Sequence, residues 1–411
     1  MIFSPQHYRR LRSRLRLRYQ SQWKLFSRNL KKLPSSPLKE WIQHHKEELS
    51  EYTNLNWFYL GQLQKYLFAK TLPIAPGSAV ALSKSEEKAF DLWNHSEFAD
   101  VFLKKLNQGQ SIEKASRGTL AQFEKHLLIM GKRHVEKVDV TSASYRHQSA
   151  LGERIRNGKI SPLLSTTLHL EGKELELKTP SLKEMNRFSQ RIELALKLIR
   201  RFSPGSWERF VAFTDSIVPI RDEEFVSYSH QDLPGVSMIN LYDRDFVDLM
   251  DDLLHENGHH HLNYFLNLER LIQEPAETIY YSPWRRTLRP LRGIYHAYFT
   301  FFWAFRLFSD LARQDLENIW YAFSPKEIEK IYWRAVEEYH MLSFSYEDLR
   351  WARKQGLIAD TGWDLVKAQH RELLKLRASI AKWERKLVAH RKDLKKLKTE
   401  LRSTQRKYRK T

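Results

Sequence analysis

Apolar residues three and four positions apart recur at both ends of the chain, and this spacing constrains the fold most. Between residues 8 and 30, Tyr8, Leu11, Leu15, Tyr19, Trp23, Phe26 and Leu30 keep it, with arginines between them. A strand would send such residues to both faces, whereas a helix gathers them on one. A basic amphipathic helix is therefore expected over residues 1–33. At the other end, Val366, Leu373, Leu376, Ile380, Trp383, Leu387, Leu394, Leu397 and Leu401 follow a heptad pattern, with Gln369 and His390 in seam positions. That predicts a basic coiled-coil-like helix over 362–411. Its seam suits either self-association or a helix lying along its own protein. The flanking charges mix attraction (Glu372–Arg377) with repulsion (Lys386–Arg391), so they do not specify a homodimer.

Between these ends, helical patterns fill a region at 34–133. A change to short β-prone pieces such as "LLSTTLHLEG" and "KELELK" marks a small β-containing region at 134–204. "IVPI", "EFVSYS" and "GVSMINL" read as extended segments leading into a helix, within a metal-binding catalytic region at 205–355. The loop "EPAETIYYSPWRRTLRP", punctuated by three prolines, follows that helix. The fold class expected is mainly α with a small β component (α+β).

Charge is placed unevenly. Residues 1–32 carry +10 and residues 364–411 carry +12, which leaves −2 for the 331 residues between them out of a total of +20. The central body is not the electrostatic footprint of a nucleic-acid-binding domain, and the basic ends suit an acidic partner or an anionic surface. The 411 residues include no cysteine, which excludes disulfides, thiolate nucleophiles and cysteine-ligated metals and suits a reducing cytoplasm. The basic start of the chain has no apolar core segment of a secretory signal, and the longest apolar run, "YHAYFTFFWAF", is too short to span a bilayer. A cytoplasmic protein without a transmembrane segment is expected.

The chemistry concentrates in "LLHENGHHHLN", residues 253–263. His255 and His259 are four apart with Glu256 beside the first, so the string fits H-E-x-x-H. Helical spacing puts both imidazoles on one face, within reach of one metal ion. The upstream residues Phe246, Leu249, Met250, Leu253 and Leu254 keep helical periodicity into the motif. His260 and His261 point elsewhere. A working centre needs a third ligand, and Glu274, Glu277 and His296 are the candidates. In a zinc hydrolase Glu256 would polarise the metal-bound water as general base. Leu262 and Phe265 stand where a metzincin needs glycine and histidine, so that class is excluded.

The string "LLHENGHHHLNYFLNL", followed by "IYYSPWRRTLRPLRGIYHAYFTFFWAF", resembles the HEXXH-motif family of peptide-modification proteins, some of them iron(II)- and 2-oxoglutarate-dependent peptide β-hydroxylases. The likeness rests on the motif helix, on Ser282, Pro283, Trp284, Arg285, Arg289 and Pro290, and on Gly293 and His296, which open an aromatic helix. It covers roughly residues 215–310. Asn257 and Gly258 are unusual inside the motif. What the resemblance implies is a centre of His255, His259 and His296 that binds Fe(II) with open positions for 2-oxoglutarate and dioxygen, and a peptide or protein substrate. A cationic clamp for the distal carboxylate is then expected from Arg285, Arg286 or Arg289, in a segment that also carries Arg292. The aromatic run is expected to be core, with a part lining the pocket. Two other readings stay open: a zinc metallopeptidase, and a non-catalytic scaffold whose basic ends bind.

Overall fold

The computed structural model describes residues 3–52, 54–71, 105, 107–137, 169–170, 173–174, 182–214, 216–221, 223, 226–229, 235–273, 279–314 and 319–408. It is mainly helical with a small β component. In chain order the elements are α1 (Pro5–Lys31), α2 (Pro37–His44), α3 (Lys46–Ser50), α4 (Asn54–Thr71), α5 (Ile112–Lys137), β1 (His169–Leu170) and β2 (Lys173–Glu174). Then come α6 (Leu182–Phe202), α7 (Pro204–Phe213), β3 (Ser216–Ile220), β4 (Tyr228–Ser229), β5 (Val236–Asn240) and α8 (Phe246–Leu266). The remainder is β6 (Ile279–Ser282), β7 (Thr287–Pro290), α9 (Leu291–Ala312), α10 (Pro325–Lys354), α11 (Asp360–Lys375), α12 (Arg377–Lys386) and α13 (Arg391–Tyr408). No helix among the described residues is long and apolar enough to cross a membrane.

Two compact units emerge. One includes Met1–Leu15 and Lys178–Thr411, the other Arg16–Ser144 and Glu153–Leu177. In the latter, α2 and α4 pack on α5. Its tyrosines tie helices together while their rings are buried: Tyr59 Oη donates to the Leu127 carbonyl at 3.0 Å and Tyr66 Oη to Glu124 at 2.6 Å. All seven periodic residues of α1 are buried, as their spacing predicts. The region expected to turn β-prone at residue 134 is still helix through Lys137, and of its strands the short antiparallel pair β1–β2 lies within the described residues.

The larger unit holds the motif. β3 and β5 pair in parallel, with β4 antiparallel on the other side of β5. Every residue of β5 is buried, and the chain leaves it into α8. Asp245 caps α8 in a reciprocal box with Asp248, accepting from the Asp248 amide at 2.8 Å. This satisfies the first-turn amides and places negative charge at the positive end of the helix. Lys330 of α10 reaches both carboxylates at 2.6 Å. α9 packs between α8 and α10. Its aromatics Tyr295, Tyr298, Phe299, Phe302, Trp303, Phe305 and Phe308 are buried, as expected of a helix so apolar at the centre of a helical layer.

Two expectations need correction. The proline-punctuated segment is a β-hairpin: Ile279–Ser282 pairs with Thr287–Pro290, and the turn closes with Arg286 at φ 50°. Its prolines sit in the turn and at the end of β7, where no ladder hydrogen bond is lost. The heptad tail is three helices, broken at Leu376 and Leu387, and it does not offer a free seam for self-association. Leu373, Leu376, Ile380, Trp383, Leu387, Leu394, Leu397 and Leu401 are all buried within the chain. Leu397 and Leu401 join Met341 and Phe344 of α10 in one cluster, with Tyr281 and Trp284 of the hairpin packed against it.

Candidate metal centre

α8 carries His255, Glu256 and His259 at the contact with α9, and α9 carries His296 in its second turn. The two helices approach closely because Gly258 has no side chain. A Cβ there would stand 3.1 Å from the Thr300 Cα and 3.2 Å from the Trp303 Cδ1. Asn257, the other unusual motif residue, donates to the Phe210 carbonyl at 3.2 Å and to Thr214 Oγ1 at 2.7 Å, fastening α8 to α7. Both residues serve helix placement.

The Nε2 atoms of His255 and His259 are 3.2 Å apart. Two imidazoles bound about 2.1 Å from one metal at roughly 100° hold their Nε2 atoms about 3.2 Å apart, so the observed 3.2 Å separation, which is also that of a hydrogen bond between the rings, matches a ligand bite. Burial, aided by the Arg334 and Arg285 cations, pushes His255 down to about 3. Burial also holds His259 well below the usual histidine range and pushes His296 down to about 3. All three imidazoles are then neutral at pH 7, the state that presents a lone pair to a metal.

Three side chains bring donor atoms within 4.8 Å of one another: His255, Glu256 and His259. His296 stands one step out. Its ring centre is 6.0 Å from that of His259, wider than the 4.9 Å between the His255 and His259 rings, and its buried Nε2 has no hydrogen-bond partner. The Nδ1 of His255 and the Oε2 of Glu256 are likewise buried without a partner. Burial, reinforced by Asp252 and Asp251, pushes the Glu256 carboxyl up to about 8. With Nε2 turned to a metal, His255 Nδ1 carries the ring proton, so the orphaned acceptors that a cation would relieve are His296 Nε2 and Glu256 Oε2; the grouped donors of His255, Glu256 and His259 fit a metal. Glu274 and Glu277, the other candidate ligands, lie outside the described residues.

The arginines border this group. Arg285 bears on His255, and Arg289 and Arg292 bear on His296. Arg289 lies across Gly293: a Cβ on that glycine would meet Arg289 Nε at 3.2 Å, so the glycine makes room for the guanidinium beside His296. Neither Arg285 nor Arg289 has a carboxylate at ion-pair distance among the described residues, whereas Arg286 is exposed and sits 3.7 Å from Glu400 of α13. Of the three predicted clamp residues, Arg289 is half-buried beside Gly293, Arg285 is exposed, and Arg286 is turned to the tail.

Trp284, Phe301 and Glu338 were given no individual role from sequence. Trp284 stacks on Phe301 (4.7 Å between centres, 5° between planes), and Phe301 lies 4.4 Å from the His255 ring. Trp284 Nε1 donates to Glu338 at 2.8 Å, and Glu338 is 3.1 Å from Arg334. Tyr281 Oη donates to Glu400 at 2.8 Å. These contacts pin the hairpin over the histidines from α10 and α13. His260 takes no part in the centre: it accepts from the Gly235 amide at 3.1 Å and lies 3.0 Å from Ser237 Oγ. No protein-family model matches the chain, and a search of curated proteins finds no significant relative.

Proposed function

We propose that the larger unit is a peptide-modifying oxygenase dependent on iron(II) and 2-oxoglutarate, of the peptide β-hydroxylase type, with His255, His259 and His296 as ligands. The observation that carries this reading is the 3.2 Å separation of the two imidazoles, with the Arg285 and Arg289 cations bearing on His255 and His296 and no ion-pair partner for either arginine among the described residues. Cations at that place suit an anionic co-substrate. When bound, iron(II) would supply the site at which dioxygen is the oxidant, one oxygen atom going to a hydroxyl on the peptide or protein substrate and the other to 2-oxoglutarate, which leaves as succinate and carbon dioxide. The histidines offer neutral donors and leave coordination positions open. Arg289, held over Gly293, would fork onto the distal carboxylate of the co-substrate, and Arg285 would add a second cation. Trp284 and Phe301 cover the His255 side and exclude water from it. A cytoplasmic setting accords with the absence of cysteine.

A zinc metallopeptidase is the second reading, favoured by Glu256, which lies within 4.8 Å of both histidines as a general base would. The test is anaerobic loading with Fe(II) or Zn(II), followed by calorimetric titration with 2-oxoglutarate. The oxygenase reading expects 2-oxoglutarate to bind the iron-loaded protein. Arg289→Ala should keep metal and weaken that binding by about 1.5–3 kcal/mol, the worth of a charge-assisted hydrogen bond. It fails if 2-oxoglutarate has no effect and zinc-loaded protein cleaves peptides, with activity lost in Glu256→Gln while zinc is retained.

A further inference from the structure

Behind the metal-binding face of α8, a second buried polar pair lacks partners. Arg209 of α7 is 0% exposed, and its Nε, Nη1 and Nη2 atoms all lack a hydrogen-bond partner. Its guanidinium carbon lies 3.9 Å from the centre of the Trp303 ring. His261 of α8 is also 0% exposed, with both ring nitrogens unpartnered. It stacks on Phe213 at 4.4 Å and meets Tyr8 at 5.2 Å and Phe299 at 5.3 Å edge-on. The His261 and Trp303 rings are 5.9 Å apart, so the two polar groups share one aromatic enclosure.

A guanidinium stays protonated inside a protein and carries five donors. Burial pulls Arg209 down to about 9, a sign of how little compensates its charge. The contact with Trp303 offsets only a fraction of the cost of taking a cation out of water. What the enclosure lacks is one negative charge that accepts hydrogen bonds. A dianion such as phosphate or sulfate would overcompensate a single cation with few donors. Aromatic edges carry partial positive charge and suit a large polarisable ion.

We propose that Arg209 and His261 hold a buried monovalent anion of the halide class, chloride in the first instance, between α7, α8 and α9. The guanidinium supplies the charge and donors, and one N–H of the neutral His261 ring completes the cradle. The site faces away from His255 and His259, so it stands whether or not the oxygenase reading does.

The test uses the full-length protein in sodium chloride against sodium gluconate at constant ionic strength. The melting temperature of the wild type should rise by about 2–4 °C per tenfold chloride above half-saturation, and that of Arg209→Met should not respond. In parallel, the chloride-35 resonance should broaden with wild-type protein and sharpen on addition of bromide. Should Arg209→Met fail to fold, His261→Phe is the second variant, and it should lose most of the broadening. A wild type with no chloride-dependent melting or broadening overturns the proposal. So does Arg209→Met or His261→Phe that keeps the full response, or a wild type that answers to acetate and not to chloride.

Discussion

Gly258→Ala tests the helix contact on which the centre depends. In an exposed helix interior this change stabilises by about 0.8–1 kcal/mol, because alanine loses less backbone freedom on folding. At Gly258 the new methyl would meet the Thr300 Cα at 3.1 Å and the Trp303 Cδ1 at 3.2 Å, both inside the roughly 3.5–4.0 Å optimum of carbon contacts. One of these atoms is backbone and cannot rotate away, so α8 and α9 must separate by a few tenths of an ångström. Overpacking of this kind costs about 1–3 kcal/mol, which outweighs the propensity gain and leaves a net loss of about 0–2 kcal/mol. The displacement reaches the ligands, because Thr300 Oγ1 donates to the His296 carbonyl at 3.0 Å, one turn from the contact. Metal affinity should fall about tenfold, as it does when the support of a ligand is disturbed. Urea unfolding of the metal-free protein and competitive metal titration read the two effects separately. A variant that is about 1 kcal/mol more stable and binds metal as the wild type does would refute the close-contact reasoning.

Leu401→Ala should cost about 2–4 kcal/mol in chemical unfolding while leaving the sedimentation behaviour unchanged, because Leu401 packs on Met341 and Phe344 of its own chain. A changed oligomeric state with unchanged stability would return the tail to a self-association role. Asp252, pushed up to about 7 by burial, binds its proton more tightly in the folded state than in the unfolded one. It therefore subtracts stability as pH rises from about 4 towards 7, by at most about 1.4 kcal/mol per pH unit, with no further change above 7. Asp252→Asn keeps an acceptor for Ser227 and should gain on the wild type across that window. Parallel pH–stability curves for the two proteins would contradict this.

The helical ends were legible because the signal is local: seven apolar residues of α1 keep a 3,4 spacing, and all seven are buried. The same logic placed His255 and His259 on one face, since an i, i+4 relation needs only a helix. The tail shows where such logic stops. Its seam is buried as the spacing predicts, but a heptad pattern does not say what covers it, and no glycine or proline marks the breaks at Leu376 and Leu387. The cover is α10, met through contacts such as Glu384 with His340 and Lys386 with Tyr332, 44 and 54 residues apart in sequence, which no local pattern shows. The hairpin was hidden by its prolines, which usually argue against strands and here occupy its turn and its end. Trp284, Phe301 and Glu338 converge from three elements, and the 54-residue step from Trp284 to Glu338 has no local signature. Arg209 carries no signal at all, being one of 69 basic residues until its burial is seen.

The central claim is a single metal ion held by His255, His259 and His296. Metal content per chain, measured by inductively coupled plasma mass spectrometry after anaerobic loading and desalting, tests it most directly. The wild type and Glu256→Gln should each retain about one ion, His255→Ala and His259→Ala none, and His296→Ala markedly less than one. Full occupancy in His296→Ala together with loss in Glu256→Gln would move the third ligand to the carboxylate. Full occupancy in His255→Ala, or none in the wild type, would contradict the account outright.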